Sequence, residues 1–271
     1  NIAPVVSVPG TQTTAQDTDV TFNSTKGNLI TVSDSDAGGA DVEVTLTATN
    51  GTVSLNRLAV ATTEKQLHDN QTSTQEQAVV SVAADGTYVA VWRSLHSGDW
   101  DIYARRFAAN GTALTSGILV HTASTNEQLD AQVASDNAGN FVVVWTHTLN
   151  SGKTDIYGQR FNASGTKLGS QFTVNSTTLN NQNRADIAMN NDGSFAVVWD
   201  GDGSGDADGI YIQRYSSAGA AVGGETLVNT TTTDAQMRAD IATDGSGNYI
   251  VVWESNLQDG SAQGVYGQRI N

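Results

Sequence analysis

The sequence contains no cysteine, which excludes a disulfide framework and any thiolate-bound metal. It contains no apolar run of about 18 residues, the length that a membrane-spanning helix needs. Positive charge is also scarce, because 13 Lys and Arg stand against 28 Asp and Glu. The resulting net charge of −15 opposes binding to nucleic acid or to anionic lipid, and it favours a bound cation such as calcium. The missing apolar run predicts no membrane insertion.

What the sequence has instead is an apolar run that ends in tryptophan and occurs four times. The four tryptophans, Trp92, Trp145, Trp199 and Trp253, recur at a nearly constant interval. A glutamine precedes each of them at the same distance, and a tyrosine followed three positions later by arginine comes after each. A self-similar period of this length indicates a repeat architecture.

Each repeat predicts four short strands. In the third copy the strands are expected at 185–188, 195–199, 209–215 and 225–228, with polar or glycine-containing connections between them. Four antiparallel strands per repeat are typical of a β-propeller blade. The sequence therefore predicts an all-β chain in which residues 64–271 form a four-bladed β-propeller.

The two ends of the repeat region predict how the ring closes. The last repeat stops at Asn271, inside its third strand, and so lacks an outer strand. Leu67 precedes Trp92 by the same distance at which Val120 precedes Trp145. We therefore expect residues 66–68 to supply the missing outer strand and leave no open sheet edge. The alternative is half of an eight-bladed ring that a second chain completes.

Residues 1–63 lack the tryptophan repeat and predict a small β-sandwich segment. Short β-branched runs, among them 5–8, 29–32 and the alternating run 42–47, are separated by turn residues such as Asn50-Gly51. The chain begins at Asn1 without a signal peptide or initiator methionine, which predicts a piece of a longer polypeptide.

Three motifs in this segment resemble a known family. Asn-x-Ala-Pro-Val at 1–5, Val-Ser-Asp-Ser-Asp-Ala-Gly-Gly at 32–39 and Leu-Thr-Ala-Thr-Asn-Gly-Thr-Val-Ser-Leu at 46–55 are similar to the cadherin-like, immunoglobulin-like modules of large bacterial surface adhesins. The resemblance covers about residues 1–57. It implies secretion to the cell surface and calcium-stiffened stalks, with Asp34 and Asp36 matching the family's acidic pair. The alternative for this pair is a simple Asx-type turn.

The repeats carry a second resemblance. Their Val-Val-Trp and Ile-Tyr-x-Gln-Arg motifs are similar to repeats of large secreted bacterial proteins of the same adhesin kind. This resemblance implies a location outside the cell and assigns no chemistry.

A calcium site is predicted in the loop 200–209 of the third repeat. Oxygen-bearing side chains alternate there with glycine and alanine, and hard cations take six to eight oxygen ligands from a flexible loop. The glutamate that closes an EF-hand is absent, and the alternative is a solvated turn. The candidate metal ligands are Asp200, Asp202, Ser204, Asp206 and Asp208.

A carbohydrate site is predicted in the first repeat at Asp99, Trp100 and Asp101. Trp100 lies outside the repeated pattern, and a tryptophan beside carboxylates suits stacking on a sugar ring with hydrogen bonds to its hydroxyls. Packing of Trp100 against a neighbouring blade is the alternative.

Catalytic motifs are absent from the sequence, so no catalytic residue is assigned and no enzymatic activity is expected. Asp186 and Asp240, on first strands, are candidates for residues that line the central channel, although Val79 and Gln132 take their place in the other repeats. The favoured function is an extracellular calcium-dependent adhesion or recognition module that binds carbohydrate or a cell-surface polymer, as a monomeric piece of a larger chain. The alternatives are a structural spacer without ligand and a propeller glycoside hydrolase or lyase.

Overall fold

In a computed structural model the described residues are 5–8, 10–11, 30–33, 64–69, 73–96, 98–122, 126–178 and 180–271. The chain divides into two compact units, Asn1–Thr62 and Thr63–Asn271. In the first unit β1 (Val5–Ser7) pairs antiparallel with β2 (Thr31–Ser33). The rest of the predicted β-sandwich segment lies outside the described residues. No helix among the described residues is long and apolar enough to cross a bilayer.

The second unit is built from four antiparallel sheets, one for each tryptophan repeat, when counted over the described residues. This arrangement confirms the all-β, blade-like organisation that the repeat predicts. The strands in chain order are β3 (Gln75–Val82), β4 (Tyr88–His96), β5 (Asp99–Phe107), β6 (Ile118–Leu119), β7 (Gln128–Ser135), β8 (Phe141–Thr148), β9 (Thr154–Phe161), β10 (Phe172–Thr173), β11 (Gln182–Met189), β12 (Phe195–Gly203), β13 (Asp206–Tyr215), β14 (Ala221–Leu227), β15 (Gln236–Thr243), β16 (Tyr249–Asn256) and β17 (Gln263–Ile270).

The second strand of each sheet carries the core. In the third sheet the run Phe195–Trp199 is fully buried, because neighbouring sheets cover both faces of β12. Val197 and Trp199 pack toward the second sheet, while Val198 packs toward the fourth. The continuous apolar run in the sequence is thus explained by burial on both faces rather than by alternation. The sheets stack face to face in chain order.

The predicted loop 200–209 is for the most part a hairpin. Strand β12 continues to Gly203, β13 begins at Asp206, and only Ser204 and Gly205 remain as the turn. Two observations explain the extension: the Tyr211 ring lies where a Cβ on Gly203 would be, and Gly205 adopts φ 103°. Glycine therefore permits a close packing that continues the strands, rather than a long flexible loop.

The two ends of the stack differ from its middle. The last sheet has three strands, and within the described residues β17 pairs only with β16. Across the part of the chain that the structure describes no closed ring is shown, and residues 66–68 do not form the predicted ladder with β17. They lie instead against the first sheet, where Arg105 Nη1 donates to Leu67 O at 2.9 Å and Gly117 N donates to Asp69 Oδ2 at 2.8 Å.

Candidate functional site

The first strand of every sheet carries the same irregularity. Each strand shows a register shift against its neighbour, and the residue at the shift has a left-handed backbone. None of the four is glycine, and such backbone is uncommon for other residues and costs on the order of 1–3 kcal/mol. The four residues are Gln77 (φ 53°), Asp130 (φ 52°), Arg184 (φ 49°) and Arg238 (φ 57°).

These four bulges surround a cavity of about 570 Å³, and the described residues that line it all belong to the first strands. Each strand contributes the left-handed residue, the alanine that follows it and the residue after that alanine. The small alanine side chains leave the space open at the point where four strands converge. The residues that follow the four alanines are, in chain order, Val79, Gln132, Asp186 and Asp240. We call this space the axial cavity.

Two carboxyl groups of the axial cavity form a hydrogen-bonded pair. Burial, followed by the hydrogen bond to Asp240, raises the pKa of Asp186 from 3.8 to about 7. The N–H group of Ile241 donates to Asp186 Oδ2 at 2.9 Å and opposes this rise. Two carboxylates in contact cannot both ionise easily, so the pair holds a proton near neutral pH. This arrangement places a proton donor inside the cavity.

Arginine side chains from the third and fourth sheets stand at the same cavity. Arg184 makes a bidentate pair with Asp200, with Nε to Oδ1 at 2.9 Å and Nη2 to Oδ2 at 2.7 Å. Asp200 also accepts the backbone N–H of Arg238 at 3.2 Å, so one buried carboxylate fixes both bulges. Arg238 in turn pairs with Glu254 at 3.0 Å. The guanidinium groups are thus held in place before any ligand binds.

The opposite side of the axial cavity is less charged. Gln77 Nε2 donates to Asp130 Oδ1 at 3.5 Å, across the first and second sheets. Asp130 lines the same cavity as the Asp186–Asp240 pair, but it comes from a different strand, β7. The cavity therefore holds a proton-sharing pair and a separate third carboxylate.

The predicted carbohydrate residues lie elsewhere, on β5 of the first sheet. The guanidinium of Arg93 lies 4.4 Å from the centre of the Trp100 ring, and Arg93 Nε also donates to Glu76 at 3.0 Å. Asp101 lies 3.2 Å from the buried His121, whose pKa is lowered by burial. Asp99 opens the same strand. One face of Trp100 is therefore covered by an arginine, and a sugar platform at this position stays a prediction.

The predicted calcium ligands of the third repeat are held by protein donors. Asp200 binds Arg184, Asp202 accepts from Asn180, and Asp206 Oδ2 accepts from Asn229 at 2.7 Å. Ser204 and Asp208 are exposed. Within the described part of the chain, no three acidic or histidine side chains are grouped as a metal site. Asp34 and Asp36 lie outside the described residues, so calcium at either place stays a prediction.

The sequence pointed to Asp186 and Asp240 but missed the four bulge residues. A signal for them was present, because Gln77, Asp130, Arg184 and Arg238 each precede their tryptophan by the same distance. The side chain at this position is Gln, Asp and Arg in the first three repeats and Arg again in the fourth, whereas the residue that follows is alanine in all four. A polar position that varies next to a small residue that does not indicates a constant scaffold with a changeable lining.

Comparisons with known proteins give a fold likeness only. No family model matches the chain, and no curated protein matches it. An endo-arabinase from Bacteroides thetaiotaomicron is 16% identical over 69% of this chain and 72% of its own, with a TM-score of 0.43. A Hadza microbial sialidase is 13% identical over 72% of this chain and 44% of its own, with a TM-score of 0.49. A thermostable family-43 glycoside hydrolase is 11% identical over 71% and 70%, with a TM-score of 0.46.

These comparisons correct two predictions from the sequence. The expected calcium-dependent adhesion or recognition module is contradicted, because the solved structures that the chain is similar to are named as an endo-arabinase, a sialidase and a glycoside hydrolase. The expected lack of enzymatic activity is contradicted for the same reason. The adhesion prediction rested on the resemblance of residues 1–57 and on the loops 99–101 and 200–209. The expectation of no activity rested on missing sequence motifs, and carboxylates that meet only in the fold leave no such motif.

Proposed function

We propose that the chain is a propeller glycoside hydrolase whose reaction takes place in the axial cavity. The observation that carries the proposal is the hydrogen-bonded pair of Asp186 and Asp240, with the pKa of Asp186 raised to about 7. A carboxylic acid that keeps its proton near neutral pH is the group that protonates the leaving oxygen in glycoside hydrolysis. The fold and the size of the cavity are compatible with a bound sugar.

The roles follow from the two kinds of carboxylate. Asp186 donates its proton to the glycosidic oxygen as the bond from that oxygen to the anomeric carbon breaks. Asp240 holds and orients that proton in the free protein and raises the pKa of its neighbour. The two groups share a hydrogen bond, so they are too close to flank a glycosidic bond, which needs a separation of about 5 Å or more.

Asp130 is therefore assigned the second catalytic role. It comes from β7, on another wall of the cavity, and it accepts a long hydrogen bond from Gln77 at 3.5 Å. As the base it takes a proton from water while the water oxygen bonds to the anomeric carbon. Arg184 and Arg238 are positioning residues that orient sugar hydroxyl groups through guanidinium N–H donors.

The four sheets are proposed to close into a four-bladed ring around this cavity. The support comes from positions equivalent in the repeat: Ile102, Ile156 and Ile210 are fully buried, whereas the matching Val265 of the last sheet is 79% exposed. On the first sheet Val80 is 59% exposed, whereas the matching Ile187 and Ile241 of the third and fourth sheets are buried. The two ends thus present apolar faces that suit each other.

The contacts of the segment 64–69 support such closure. Asp69 contacts Gly117 of the first sheet, and at the equivalent position Thr122 N donates to Gln171 of the second sheet at 2.8 Å. The segment therefore sits against the first sheet as an outer strand from a preceding blade would. Pairing with β17 would supply that blade and remove the open edge. A second copy of the chain would satisfy the same faces in an eight-bladed ring.

The remaining expectations from the sequence are kept as proposals. They are the adhesin-type resemblance of residues 1–57 and of the tryptophan repeats, location at the cell surface or outside the cell, and calcium at Asp34 and Asp36 or in the β12–β13 hairpin. None of them is needed for the axial chemistry. A carbohydrate partner follows from the proposed hydrolysis itself.

The test is a hydrolysis screen with matched variants. The protein is incubated with arabinan, xylan, cellulose, p-nitrophenyl α-L-arabinofuranoside and sialyl-lactose, and released sugar is measured. Asp186→Asn and Asp130→Asn should each lower the rate about 10²–10⁴-fold. Asp192→Asn, in a solvent-exposed turn of the same sheet as Asp186, is the control and should retain the rate. Equal rates for Asp186→Asn and wild type would reject the assignment.

A further inference from the structure

We infer that the substrate is a chain of sugars that continues from the axial cavity into a second cavity between the third and fourth sheets. The inference rests on the proposed function and adds the substrate class, an oligosaccharide or polysaccharide rather than a single terminal sugar. The second cavity measures about 520 Å³ and is bounded by the start of β11, the β12–β13 hairpin and the start of β15. We call it the lateral cavity.

The two cavities adjoin at Arg184, which lines both. Its Nε and Nη2 atoms are committed to Asp200, and its side chain is 44% exposed. A guanidinium has five N–H donors, so N–H groups remain on Nη1 for a ligand. The bidentate pair with Asp200 fixes the plane of the guanidinium. Arg184 therefore presents these N–H groups at the place where the two cavities meet.

The lateral cavity has the chemistry that sugar hydroxyl groups require. A hydroxyl both donates and accepts, and side-chain amides offer both functions while carboxylates accept. Asn180 donates to Asp202, which leaves its amide oxygen available, and Asn183 Oδ1 accepts from Thr154 at 2.9 Å, which leaves its amide N–H groups. Asp208 is exposed, and its carboxylate accepts no hydrogen bond from any residue in the described part of the chain.

An apolar strip completes the lining. Met237 is half-buried beside Ala235 at the start of β15, and Ala207 lies opposite in β13. Sugar rings present C–H faces as well as hydroxyl edges, so a wall with alternating apolar and polar groups matches a ring laid along it.

The dimensions favour more than one sugar unit. Each cavity falls in the range of about 300–1,000 Å³ that holds one small-molecule ligand. A single ring that occupies the Asp186–Asp240 end leaves the lateral cavity empty. A chain whose cleavable bond lies at Asp186 would reach past Arg184 and lie along the β12–β13 hairpin.

The experiment measures binding as a function of chain length, with hydrolysis blocked. Full-length Asp186→Asn protein is titrated by calorimetry with disaccharides and hexasaccharides prepared from arabinan, xylan and cellulose. We expect the hexasaccharide of one series to bind at least about tenfold more tightly than its disaccharide. Adding Asn180→Ala and Asp208→Ala should abolish this advantage. Both residues are exposed, so the fold should be kept, and a melting curve checks it.

The control adds Asp259→Ala, an exposed acid in the corresponding hairpin of the fourth sheet, and should keep the length dependence. Equal affinity for short and long chains, absence of binding in all three series, or an unchanged advantage in the Asn180→Ala/Asp208→Ala variant would overturn the inference. Length-dependent binding together with a wild-type protein that hydrolyses nothing would keep the lateral cavity and reject the catalytic proposal. Hydrolysis by the wild type without length-dependent binding would keep the catalytic proposal and reject the lateral cavity as a binding site.

Discussion

Replacing Asp186 with asparagine should change how stability depends on pH. The folded protein holds the Asp186 proton with a pKa of about 7, against 3.8 for an ordinary aspartate, because of burial and the contact with Asp240. Because the pKa is higher in the folded than in the unfolded protein, Asp186 contributes to the unfolding free energy fully below about pH 4, and this contribution is lost as the pH rises to about 7. The asparagine amide does not ionise, so the variant lacks this loss.

The magnitude follows from the two pKa values. Between pH 4.5 and 7.5 the unfolding free energy of the wild type should fall relative to that of Asp186→Asn by about 3 kcal/mol. Contributions from titrating groups that do not contact Asp186 are common to both proteins and cancel in the difference. This change amounts to about one fifth to three fifths of the usual unfolding free energy of a domain, about 5–15 kcal/mol.

Urea unfolding followed by tryptophan fluorescence provides the measurement, at pH values from 4.5 to 7.5. Asp192→Asn is the control, because hydrogen bonds from Ser194 lower the pKa of Asp192 and its contribution to stability is therefore already complete above about pH 4. The difference in unfolding free energy between the wild type and this control should stay constant from pH 4.5 to 7.5. A difference between wild type and Asp186→Asn that stays constant with pH would refute the shared proton, and with it the reason for assigning Asp186 as the acid.

Three further predictions concern other parts of the chain. Val265→Asp should lower the melting temperature by several degrees if the ring is closed, whereas Leu114→Asp, at a residue 48% exposed, should leave it unchanged. An unchanged melting temperature for Val265→Asp would reject closure. A solution mass twice that of one chain would indicate two chains per ring. Trp100→Ala should cost about 1–2 kcal/mol through lost packing and the Arg93 contact, and an unchanged melt with lost sugar binding would instead support a platform. Calcium should raise the melting temperature by mass action, less so in Asp202→Ala/Asp206→Ala, and identical melts in chelator and calcium would remove the metal proposals.

The repeat made the strands predictable from the sequence. The tryptophan run and the spacing of its neighbours located the four sheets, because burial on both faces demands an uninterrupted apolar strand such as Phe195–Trp199. The hairpin at 200–209 was predicted as a loop, since glycine and aspartate signal turns. The packing of the Tyr211 ring over Gly203, which extends the strands, is a tertiary contact and leaves no local signal.

The site was predictable only in part. Asp186 and Asp240 were visible as acids on first strands, but their shared proton depends on a contact between two different sheets, one full repeat apart in the chain. The left-handed bulges at Arg184 and Arg238 were invisible, because arginine has no preference for such backbone. Absent motifs led to the expectation of no activity, although converging strands can assemble carboxylates without one.

The pH dependence of hydrolysis tests the central claim most directly. Once a substrate is found, kcat/KM of the wild type should fall about tenfold per pH unit above about pH 7, as the Asp186 proton is lost. At lower pH the acid form is complete, so no further gain from this group is expected. A rate that stays level or rises through pH 7, or the absence of hydrolysis on every substrate at pH 5 to 7, would contradict a hydrolytic site built on Asp186.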